Sequence, residues 1–141
     1  MKNVLFIDYA TILDSNINTL VKSSIMSLKD IVEKIDDIKI VCLNTKQEMQ
    51  FFKYEELLCE LSQALNLKKS LFFSEAIVNN WSTDDSIKTI SNWMKNEEVK
   101  SFAIVTYGRN DIINKAYPNN SICCNPGSFS EAHTSLSADF V

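Results

Sequence analysis

The sequence predicts an α/β fold, a three-layer sandwich built on a mainly parallel central sheet. Three observations carry that expectation. Short β-rich apolar runs recur down the chain, and stretches with helical spacing of apolar residues separate them. The first run, Val4-Leu5-Phe6-Ile7, drives directly into one aspartate, Asp8. Strand and helix alternating in this way imply parallel strands joined by right-handed crossovers. A carboxylate closing a central strand stands where open α/β sheets take their ligands.

The elements follow in order. Residues 3–8 read as the first strand. Ile17, Leu20, Val21, Ile25, Leu28, Ile31 and Ile35 recur at three- and four-residue steps, one face of a helix that Asp14 is expected to cap. Ile38–Leu43 is a second buried strand. Phe51, Tyr54, Leu58, Leu61 and Leu65 mark a second helix, with Glu55, Glu56 and Glu60 on its wet face. Leu71–Phe73 reads as a short strand. Ser82-Thr83-Asp84-Asp85 supplies N-cap chemistry for a helix carrying Ile87, Ile90, Trp93 and Met94. Phe102–Val105 is a further strand, Asp111–Ala116 a short helix and Ser121–Cys124 a late strand. Pro126-Gly127 opens a terminal helix with Phe129, Ala132 and Leu136 inward. No internal repeat or boundary divides residues 1–141, so one domain without a cap is expected.

Composition narrows the function classes. The 141 residues, 45% hydrophobic and 23% charged, suffice for one real core. No apolar run approaches the ~20 residues of a membrane span, and no basic segment precedes an apolar leader, so a cytoplasmic protein is expected. The formal charge of −4 argues against direct nucleic-acid binding, which needs a basic footprint, and suits a basic partner. Cys42, Cys59, Cys123 and Cys124 have no C-x-x-C spacing and read as buried thiols in a reducing compartment. His133 reads as a surface or helix-end residue. Trp81 and Trp93 read as packing residues, and the paired acids at 36–37, 55–56, 84–85 and 97–98 as solvated helix ends and faces.

Asp8-Tyr9-Ala10-Thr11-Ile12-Leu13-Asp14-Ser15 resembles the first motif of the haloacid dehalogenase (HAD) superfamily, a hydrophobic strand followed by D-x-D-G-[TV]-L. The closest flavour is the small capless HAD domain of RNA-repair-associated proteins. Ile40-Val41-Cys42-Leu43-Asn44-Thr45 resembles the family's second-motif strand. Ile90-Ser91-Asn92-Trp93-Met94 resembles the I-x-x-W-L helix before the fourth-motif strand, and Phe102-Ala103-Ile104-Val105 resembles that strand. Pro126-Gly127 and the helix after it resemble the family's ending. Each motif is partial, although together they cover nearly the whole chain.

The resemblance implies a specific chemistry. The first aspartate, here Asp8, would attack phosphorus and form a phospho-aspartate. A second aspartate protonates the leaving group and activates water. A Ser or Thr and a Lys hold the phosphoryl oxygens, a role that falls here to Thr45 with Asn44 beside it. Acids after the fourth strand complete a Mg²⁺ site with the first aspartate, and metal and lysine offset the repulsion between two anions. This chain departs from that pattern. Ala10 stands where the acid/base belongs, and a methyl group moves no proton. Thr106-Tyr107 stands where the metal-binding acids belong, leaving Asp111 as a replacement ligand beside Asp8. Lys88 lies near the expected helix without aligning cleanly on the family's lysine. Tyr9, Ala10, Thr11, Thr106, Tyr107 and Arg109 would rim the cleft.

These departures favour a catalytically degenerate HAD-like protein that works by binding a protein partner. Small size and acidic charge extend that to an immunity- or antitoxin-type inhibitor of a basic nuclease. The alternative is a weak Mg²⁺-dependent phosphohydrolase with Asp8 as nucleophile, Thr45 on phosphate and Asp111 on metal. A third reading takes Phe6-Ile7-Asp8-Tyr9 and Thr106-Tyr107-Gly108-Arg109-Asn110-Asp111 as remnants of a PIN/NYN-like nuclease, which needs three or four carboxylates. Helix-borne acids such as Glu48 fill that requirement poorly.

Overall fold

The computed structural model describes residues 2–8, 11–12, 20–35, 37–44, 59–65, 77–78, 83–107 and 111–124. In chain order these form β1 (Lys2–Asp8), α1 (Lys22–Lys34), β2 (Ile38–Asn44), a helical stretch over 59–64, β3 (Ile77–Val78), α2 (Thr83–Lys95), β4 (Val99–Tyr107), α3 (Asp111–Ala116) and β5 (Ser121–Cys124). The strands lie in the order β3-β2-β1-β4-β5, and every neighbouring pair is parallel. The α/β sandwich with a parallel central sheet is the observed architecture.

Strand pleating sorts the apolar residues into two cores. Leu5 and Ile7 of β1, Ile40 of β2, and Ala103 and Val105 of β4 meet Leu28 and Ile31 of α1 and Leu61 and Leu65 from the 59–65 stretch. On the opposite face, Val4 and Phe6 of β1, Val41 of β2 and Ile104 of β4 meet Ile90 and Trp93 of α2 and Ile113 of α3. Covering both faces of the sheet explains why its inner strands read as continuous apolar runs instead of alternating ones. Trp93 meets Phe6 edge-on, with ring centroids 5.6 Å apart at 83°. Its ring also lies 6.0 Å from the Lys39 ammonium, which approaches Glu97 at 4.0 Å.

Several expectations are corrected. Helix α1 begins at Lys22, later than the apolar spacing suggests, and its N-cap is Val21 in extended conformation, so Asp14 does not cap it. The cause is a main-chain bond. The Val21 N–H donates to the Ile12 carbonyl at 2.9 Å and holds Leu20 and Val21 extended against the turn after β1. Leu20 still packs on the core beneath α1, which is why it fits the helical spacing. A strand not expected from the sequence, Ile77–Val78, pairs with Leu43 and Asn44 on the β2 side of the sheet; the expected strand Leu71–Phe73 lies outside the described residues. Strand β4 starts at Val99, ahead of the apolar run.

The cysteines are not uniformly buried. Cys59 and Cys123 are both exposed, because Cys59 lies off the Leu61/Leu65 face of its helix and Cys123 sits near the end of outer strand β5. Residues 51–58 of the predicted second helix, Trp81, His133 and the predicted terminal helix lie outside the described residues. Among the described residues, no helix is long and apolar enough to cross a membrane.

Candidate functional site

The strand order locates the site before any side chain is considered. From β1 the chain moves outward to β2 and then β3; from β3 it returns across the sheet to β4 and continues outward to β5. The connections leaving β1 and β4 therefore diverge, and the crevice between their carboxyl ends is the topological switch point where open α/β sheets bind ligands. Asp8 ends β1, and Thr106-Tyr107 ends β4.

Register brings Asp8 and Thr106 together. Ile7 pairs with Val105, and the next residues on the two strands are Asp8 and Thr106. Alternation turns both toward the face covered by α2 and α3, the side already taken by Phe6 and Ile104. Both are deeply buried, at 2% exposure each. A carboxylate at that depth costs several kcal/mol of lost hydration and persists only with compensating polar partners, roughly as for other buried ions.

The neighbouring hydroxyls turn inward. Thr11, fully buried, donates its hydroxyl to the Asp8 carbonyl at 2.7 Å and closes the turn that follows β1. Thr106 Oγ1 lies 3.3 Å from both the Ile122 carbonyl oxygen and Cys123 Sγ, so its proton is directed toward β5. Behind it stands a polar cluster without a spacing signal in the sequence. Asn114 Nδ2 donates to Cys123 Sγ at 2.8 Å. The Ser121 hydroxyl lies 2.8 Å from both Asn114 Oδ1 and the Tyr117 carbonyl. Tyr117 in turn shares a 3.0 Å hydrogen bond with Ser91 of α2 and meets the Phe102 ring edge-on. This network anchors α3 to β5 and α2, and it sets the position from which α3 begins at Asp111.

The remaining candidate residues are placed less completely. Asn44 ends β2, on the far side of β1 from Thr106. Asp111 is the first residue of α3 and Tyr107 the last of β4; the side chains of these three lie outside the described set. Tyr9, Ala10, Thr45, Glu48 and Arg109 lie outside the described residues altogether. Lys88 is exposed on α2, whereas a phosphate-holding lysine has to reach into the crevice.

The described donors fit Mg²⁺ poorly. One carboxylate, Asp8, stands beside two hydroxyls already engaged within the protein, whereas Mg²⁺ takes carboxylates and water in octahedral geometry. Among the described residues, no group of three or more His, Cys, Asp or Glu side chains could hold a metal ion. Comparison with family models, with curated proteins and with solved structures finds no match for this chain. The HAD resemblance therefore rests on the sequence motifs.

Proposed function

We propose that this chain is a catalytically degenerate HAD-like domain that acts by binding a protein partner at the carboxyl-terminal edge of its sheet. The observation that carries the reading is the position of Asp8, a buried carboxylate at the switch-point crevice beside Thr106. Fold alone does not define function, so the residues around Asp8 bear the argument. Ala10 supports the loss of catalysis, because no group at that position can protonate a leaving group or activate water. Thr106 supports it further, since its hydroxyl is directed to β5 where the family pattern calls for a metal ligand. The formal charge of −4 favours a basic partner, and an immunity- or antitoxin-type inhibitor of a basic nuclease is the corresponding specialisation.

Hydrolysis of a generic phosphomonoester with Mg²⁺, measured for wild type beside Asp8→Asn, tests the catalytic half of this reading. Equal background rates are expected. Activity in the wild type that disappears in Asp8→Asn overturns the proposal and makes the chain a Mg²⁺-dependent phosphohydrolase. The binding half predicts a purified basic partner whose 1:1 association weakens on Tyr107→Ala while the far-UV circular dichroism is unchanged. Association untouched by that substitution would place the contact away from the strand ends.

A further inference from the structure

We draw no further inference here: the strongest candidate, the side-chain cluster at the β4–β5 corner where Asn114 Nδ2 and Thr106 Oγ1 lie 2.8 and 3.3 Å from the exposed Cys123 Sγ, rests on a lone cysteine, and nothing among the described residues points to a ligand or reactant for it.

Discussion

The two faces of the sheet are built from different chemistry. Among the described residues, the hydrophobic cluster under α1 and the 59–65 stretch is aliphatic, from Leu5 and Ile7 through Leu28, Ile31 and Leu61, with only the small polar side chains of Ser24 and Ser62 buried on those two elements. The face under α2 and α3 carries the rings of Phe6, Trp93, Phe102 and Tyr117, and alternation places Asp8 and Thr106 there. Aliphatic packing is non-directional and tolerates rearrangement, whereas edge-to-face rings and buried hydrogen bonds fix geometry. The polar end of β1 and β4 is thus set into the more rigidly specified face, and the aliphatic face acts as its foundation.

Substitutions can break or sharpen that contrast. Phe6→Ala should have the largest effect, about 4 kcal/mol of lost stability in chemical denaturation, because a fully buried ring and its contact with Trp93 disappear together. Leu28→Ala, on the aliphatic face, should cost about 3 kcal/mol. A loss larger than that of Phe6→Ala would mean that the aliphatic face carries the greater share. Ser91→Ala and Tyr117→Phe should each cost about 1 kcal/mol, and a double-mutant cycle should return their coupling, since they share one hydrogen bond. Additive losses in the cycle would detach α2 from the polar network. The smallest effect concerns α1, which has neither a side-chain cap nor an acid in its first turn. Val21→Thr should raise stability by about 0.5 kcal/mol, because the extended N-cap can present a hydroxyl to the first-turn N–H groups of the helix.

Much of this architecture is legible in the sequence because local pattern and tertiary environment agree. The runs at 3–8, 38–43 and 121–124 are strands within a residue of their apolar limits, and Asp111–Ala116 is a helix. Disagreement arises where long-range contacts override spacing. Leu20 and Val21 fit a helical face but are held extended by the bond to Ile12. Val99-Lys100-Ser101 carries only one apolar residue, yet it is drawn into β4 by pairing with the start of β1, where Ser101 also donates to Asn3 Oδ1 at 2.6 Å. Ile77–Val78 is too short for any period to register.

The site divides in the same way. Asp8 at a strand end is visible in the sequence, because a strand running into a lone carboxylate is a local pattern. Its adjacency to Thr106 depends on strand order, which composition and periodicity leave open. The inward hydroxyl of Thr11 and the Asn114–Ser121–Tyr117 network are also tertiary facts. Asp37, with φ of 52°, is a milder case: a short polar side chain tolerates the left-handed turn between α1 and β2, and the Asp37 carbonyl accepts from the Asn3 N–H at 3.1 Å.

The bond from Val21 to Ile12 ties the first residues of α1 to the turn that carries Thr11. Topologically, it clasps the chain at 12 and 21, so the start of the helix and the end of the strand share one anchor. A disturbance at the first turn of α1 is therefore felt at the strand end that carries Asp8, because only Ile12, Thr11 and two hydrogen bonds stand between them.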